Sequence, residues 1–85
     1  MKTKVLKLGA LWCNPCKLMD TQIESLKDQL SNVEIIHVDV DTSPELGKKY
    51  NIRSVPTLIK LDDLGNEAAR SIGSLTNAKL IEFLL

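Results

Sequence analysis

The stretch Leu-Trp-Cys-Asn-Pro-Cys-Lys-Leu-Met, residues 11–19, carries both cysteines of an 85-residue chain, Cys13 and Cys16, with two residues between them. Thiols at that spacing have three kinds of chemistry open to them: reversible disulfide exchange, half of a metal site, or a structural staple. A structural zinc site needs four ligands, and the only other candidate of the usual kind is the single histidine, His37. A closed site within one chain is therefore disfavoured. A permanent disulfide here would close a very small loop and remove little chain entropy. Two inert core cysteines stay open as a reading, because free cysteine is often buried.

The flanking elements favour exchange chemistry. Residues 4–10 alternate as a short strand, with Val5, Lys7 and Gly9 on one face and Leu6, Leu8 and Ala10 on the other. Met19, Ile23, Leu26 and Leu30 then recur at helical spacing, a stripe of roughly four turns that stops near Asn32. Cys13 falls at the N-terminus of that helix and Cys16 within its first turn. Unpaired N–H groups and the helix dipole stabilise a thiolate at Cys13 and make it the attacking group. Cys16, more shielded, would resolve the mixed disulfide by attack on the Cys13 sulfur. Pro15 is tolerated in a first turn, where its missing N–H costs nothing. A Cys-x-x-Cys pair on a strand-to-helix junction is a strong redox signal.

The remaining chain supplies a frame. Residues 33–40 form a nearly continuous β-branched run, as expected of an interior parallel strand covered on both faces. Residues 42–50 read as a short helix, capped by Thr42 or Ser43 with Pro44 early in it. Residues 57–61 make a third strand, 62–65 a turn with Gly65 free to take a positive φ, and 66–73 a fourth strand. A final helix follows Gly73, capped by Thr76 or Asn77, with Leu80, Ile81, Leu84 and Leu85 as its inner face. The order βαβαββα predicts an α/β fold, one domain over residues 1–85 with a four-stranded mixed sheet. The first crossover is right-handed and the last two strands form an antiparallel hairpin. Two helices are expected on one sheet face and one on the other, leaving the latter more open.

Eleven basic residues balance eleven acidic ones with no cationic block. That argues against nucleic acid or an anionic membrane as the main partner. The basic, apolar start could mimic an export signal, but Lys7 interrupts the apolar run and Trp12 stands where a small residue should precede cleavage. The chain thus reads as a mature, cytoplasmic protein without a transmembrane segment, in a reducing compartment where a permanent staple is disfavoured.

Three segments, Trp-Cys-Asn-Pro-Cys-Lys (12–17), Tyr-Asn-Ile-Arg-Ser-Val-Pro-Thr (50–57) and Gly-Ser-Leu (73–75), together resemble the thioredoxin family in order and spacing across nearly the whole chain. The likeness is to a small thioredoxin-like protein lacking the family's extra N-terminal strand and helix. It implies a thiol–disulfide oxidoreductase, an enzyme that reduces protein disulfides through Cys13 and Cys16. No bound cofactor is implied beyond the redox-active disulfide. Electrons would come from an NADPH-dependent flavoprotein of the thioredoxin reductase type. Disulfide-containing proteins, ribonucleotide reductase and peroxide-removing enzymes among them, would be the clients of a monomer. The resemblance also implies a cis Val55–Pro56 bond, with the Val55 backbone free to bind an extended client segment as an added strand. Trp12, Pro15, Val40, Val55, Pro56, Gly73 and Ser74 match the family's shallow substrate groove, and Asn14 replaces its usual glycine. From composition alone Val40 and Val55 would equally be core.

Departures from the family pattern are concentrated behind the cysteines. Lys7 stands where thioredoxins usually carry a buried Asp, and His37 where a Lys is frequent, so an acid–base pair becomes two bases. A cation near Cys16 would stabilise its thiolate instead of accepting its proton. The plainer reading is that Lys7 reaches water on the thinly covered sheet face, sharing it with His37, Asp39 and Lys60. His37 is either a proton shuttle or simply packed. Asp20 replaces a kinking proline, which predicts a straighter first helix. Two other functions compete. A glutathione-dependent glutaredoxin suits the chain's size, though no convincing glutathione clamp follows Gly73. A redox-independent binding module would use the Trp12/Val55–Pro56 groove alone.

Overall fold

The computed structural model describes residues 2–85. Among them the chain forms β1 (Thr3–Gly9), α1 (Asn14–Ser25), a 3₁₀ turn (Lys27–Gln29), β2 (Val33–Asp39), α2 (Pro44–Lys49), β3 (Thr57–Leu61), β4 (Glu67–Ile72) and α3 (Asn77–Leu84). The sheet order is β2-β1-β3-β4, with β1 parallel to β2, antiparallel to β3, and β3 antiparallel to β4. This is the expected four-stranded mixed sheet with helices on both faces. No helix among the described residues is long and apolar enough to cross a membrane.

One core joins α1, the 3₁₀ turn and α3 to the sheet through Met19, Leu26, Leu30, Leu80 and Leu84 against Val5, Val33 and Leu58. The other packs Leu46, Tyr50 and Ile52, from α2 and the loop after it, on Leu6, Leu8, Val38 and Ile59. The two-plus-one distribution of helices is thus as predicted. Gln22 ties α1 to the start of α3, its Nε2 donating to Leu75 O at 2.8 Å and to Asn77 Oδ1 at 2.9 Å.

Three local expectations change. Residues 33–39 form an edge strand, not an interior one, because β1 occupies the centre and pairs on both sides. Glu34 and His37 are accordingly exposed. The first helix does not carry its stripe unbroken to Leu30. It continues unbroken past Asp20 but closes at Leu26, where Ser25 Oγ donates back to Gln22 O at 2.8 Å and the backbone tightens into the 3₁₀ turn. Leu85, assigned to the inner face of α3, is 67 % exposed, while Leu80 and Leu84 are buried. It is the C-cap, beyond the last helical turn that would aim it inward.

The hairpin turn is built as its residues suggest. Asp62 Oδ1 accepts from the backbone N–H groups of Leu64 and Asn66 at 2.9 Å each, and Gly65 adopts φ +83°. On the neighbouring edge strand, Arg70 chelates Glu67 at 2.6 and 2.7 Å and donates to Tyr50 O at 2.6 Å. Hydrogen bonding to Arg70 holds the Glu67 carboxyl below its ordinary value. A carboxyl depressed in the folded state contributes stability above its unfolded value and loses it as pH falls through the folded one. Glu67→Gln should therefore lower the thermal midpoint slightly at neutral pH, as a largely exposed pair dictates. The gap should narrow as pH falls below the ordinary carboxyl value and close once the depressed folded-state value is passed. A gap that persists in acid would show that packing, not charge, is responsible.

Candidate active site

Cys13 is the N-cap of α1, with extended backbone (φ −92°, ψ 105°) and Asn14 and Pro15 as the first helical residues. It is joined to Cys16 as a disulfide, with the two Cα atoms 5.2 Å apart. The backbone N–H of Cys16 donates to Cys13 Sγ at 3.1 Å, so the sulfur takes the place an oxygen usually holds in a helix cap. Both residues are buried, Cys13 at 4 % exposure and Cys16 at 1 %. Cys16 is the more enclosed, by a small margin. Ala10 completes their apolar cluster, with Val40 and Val55 packed against it.

The loop before β3 closes the site from the side. The Val55–Pro56 bond is cis, as the family likeness implied. Val55 O lies 3.8 Å from Cys13 Sγ, and Pro56 is buried. Thr57 Oγ1 donates to Ser54 O at 2.8 Å, bracing the loop. Gly73 N–H donates to Pro56 O at 2.8 Å, which brings the segment after β4 alongside. Val40 and Val55 are half-buried, so each packs on the cysteines while presenting an outer edge. Trp12, Val40 and Val55 line one cavity of about 180 Å³, together with Ile52, Arg53 and Ser54. Asn14 and Pro15 are exposed on the helix tip. Ser74 is exposed beyond Gly73 and does not line that cavity.

Trp12 is 69 % exposed yet held in place, its Nε1 donating to Asp41 Oδ2 at 2.9 Å. The sequence reading missed Asp41 as well as Arg53. The signal for Asp41 was topological. Parallel pairing of Gly9 with Asp39 sets the loop after β2 level with the cysteine loop, and sites in α/β sheets gather at such strand ends.

Lys7 does not reach water across the open face. Its face of the sheet is the one covered by α1 and α3, and it is 5 % exposed. Its ammonium is 2.7 Å from Asp20 Oδ1, and His37 Nδ1 is 3.4 Å from the same oxygen. His37 itself is exposed on the edge strand, so it is not packed into the core. Asp20, read earlier only as a missing proline, is the buried lysine's counter-ion. Lys60, on the same sheet face, lies over the Phe83 ring at 5.2 Å.

Comparison with known proteins agrees with this geometry. The Thioredoxin family model matches residues 1–85. A thioredoxin of Chlamydia trachomatis is 40 % identical over 75 residues, covering 88 % of this chain and 72 % of that protein. A Mycoplasma genitalium thioredoxin is 32 % identical over 81 residues, 95 % of this chain and 78 % of its own. The oxidised mitochondrial thioredoxin 3 of Saccharomyces cerevisiae superposes with a TM-score of 0.85 at 28 % identity, covering 98 % of this chain and 76 % of that one. With a Cys-x-x-Cys disulfide capping the first helix beside a cis-proline, the chain belongs to the thioredoxin family and is a thiol–disulfide oxidoreductase.

Proposed function

We propose that this chain, acting as one 85-residue domain, reduces disulfides in client proteins, with Cys13 attacking and Cys16 resolving. The observation that carries the assignment of roles is the capping geometry. Cys13 Sγ receives a helix N-terminal N–H, the environment that stabilises a thiolate. The Cys13 thiolate attacks one client sulfur, forming a mixed disulfide and releasing the other client sulfur as a thiolate. The Cys16 thiolate then attacks Cys13 Sγ, restoring the Cys13–Cys16 disulfide and releasing the second client thiolate. Two electrons pass from the cysteine pair to the client, and the two thiol protons leave for the two client thiolates. The exposed Trp12 face, the half-buried Val55 and the cavity between them suit an extended client segment laid beside Val55 as an added strand.

The family's redox-active disulfide needs no bound cofactor, so the electrons must come from an outside donor. The donor in this reading is an NADPH-dependent flavoprotein of the thioredoxin reductase type, in a reducing cytoplasm. The test is a coupled assay of NADPH oxidation with a disulfide-containing protein as acceptor. One arm supplies a bacterial thioredoxin reductase and the other glutathione with glutathione reductase. Turnover in the first arm and only background in the second is expected. The reverse pattern would make the chain a glutaredoxin in function. Turnover in neither arm, with client binding kept by the Cys13→Ser, Cys16→Ser variant, would make it a redox-independent binding module.

A further inference from the structure

Among the described residues, Lys7 is the one buried lysine, and the exchange steps above make no use of it. Its position relative to Cys16 can be bounded from Gly9, which lies between them. A Cβ built on Gly9 would stand 3.1 Å from Lys7 Nζ and 3.2 Å from Cys16 Sγ, so ammonium and sulfur are separated by no more than the sum of the two. A side chain at that position would press on both groups and push them a few tenths of an ångström aside. Asp20, which holds the ammonium at 2.7 Å, sits four residues after Cys16 on α1 and therefore on the same helix face, one turn away. A Cys16 thiolate thus has an anion one turn along its own helix and a cation beneath it on β1. The cation is enclosed, whereas Asp20 is half-exposed and its field is screened by water. The other charged or titratable groups around the open cavity of about 270 Å³ at this point are Lys17 on α1 and His37 and Asp39 on β2.

We infer that Lys7, clamped by Asp20, is an electrostatic tuning residue that holds the Cys16 sulfur in its thiolate form. Resting on the reductase reading, this deepens the second half-reaction. Cys16 gives up its proton, which passes in the end to a client thiolate, since an ammonium cannot accept it. The thiolate pair of electrons forms the bond to Cys13 Sγ as the client sulfur departs with the electrons of the mixed disulfide. Stabilising that thiolate also favours the reduced pair over the disulfide, which makes the couple more oxidising.

The two partners of the clamp must act in opposite directions, and that provides the test. In a dithiothreitol redox titration, Lys7→Met should shift the equilibrium constant about tenfold toward the disulfide, roughly 30 mV more reducing. Asp20→Asn, which keeps an oxygen to hold the ammonium while removing the anion, should shift it about threefold toward the dithiol. Within a Cys13→Ser background, Lys7→Met should also move alkylation of Cys16 by iodoacetamide to higher pH, and Asp20→Asn to lower pH. Midpoints at the wild-type value, or both moving the same way, would overturn the inference. Should Lys7→Met fail to fold, Asp20→Asn decides alone, because its side chain is half-exposed, and no shift toward the dithiol refutes the tuning role. Neither readout needs a client or a reductase. A wild-type chain inactive in the coupled assay would therefore sink the reductase reading without touching this one.

Discussion

Cys16→Ser should leave this protein locked to its clients. Cys13 can still attack a client disulfide, but no second thiol remains to displace it, so a covalent adduct should accumulate and dissolve on addition of dithiothreitol. The adduct is visible as a mass shift on a non-reducing gel. Cys13→Ser should form no adduct at all and lose turnover by on the order of 10³ or more, the scale seen when a covalent catalyst loses its nucleophile. The asymmetry between the variants is what the geometry demands. Cys13 caps the helix and faces the Val55 carbonyl, whereas Cys16 is turned inward beside Gly9 and Lys7. Adducts trapped by Cys13→Ser and not by Cys16→Ser would reverse the two roles.

A second large effect is expected far from the sulfurs. Leu80 is fully buried and, with Leu84, anchors α3 to the core shared with Met19 and Leu58. Leu80→Ala removes that anchor from a helix of only eight residues, and large-to-small changes at such sites cost about 2–5 kcal/mol. A chain of this length has about 4–13 kcal/mol to lose in total. The urea midpoint should therefore fall steeply with an unchanged denaturant slope. Leu85→Ala, one step beyond the helix and exposed, should change stability by less than about 0.5 kcal/mol. Equal losses from the two leucines would mean that α3 is docked on a different face.

That contrast between two leucines of one stripe shows where sequence reasoning stops. An apolar period places a residue on a stripe, but the stripe's last member turns inward only if the helix is long enough to carry it. Leu26 and Leu30 illustrate the same point at the other helix. Both are buried as their spacing predicts, although the backbone beneath them changes from α to 3₁₀. Residues 33–39 show a different limit. A β-branched run signals a strand, yet whether it lies inside the sheet or at its edge depends on which strand takes the centre, and that is settled by pairings with β1 and β3 far along the chain.

By itself the sequence determined what is carried by neighbours along the chain. Cys13 and Cys16 share a first helical turn because two residues separate them. Pro15 fits that turn, Gly65 makes the hairpin, and Thr76 caps α3 through its hydroxyl to Lys79 N–H at 3.3 Å. Only the tertiary structure decided what meets across the fold: Asp41 with Trp12, Arg70 with Tyr50, and above all Asp20 with Lys7. Lys7 on the first strand and Asp20 on the first helix look like two unrelated departures from a family pattern when read along the chain. Helix α1 laid across β1 makes them one ion pair behind a cysteine. Local periodicity sets which way a side chain points, but the identity of its partner is set by packing, and packing joins residues that sequence order keeps apart.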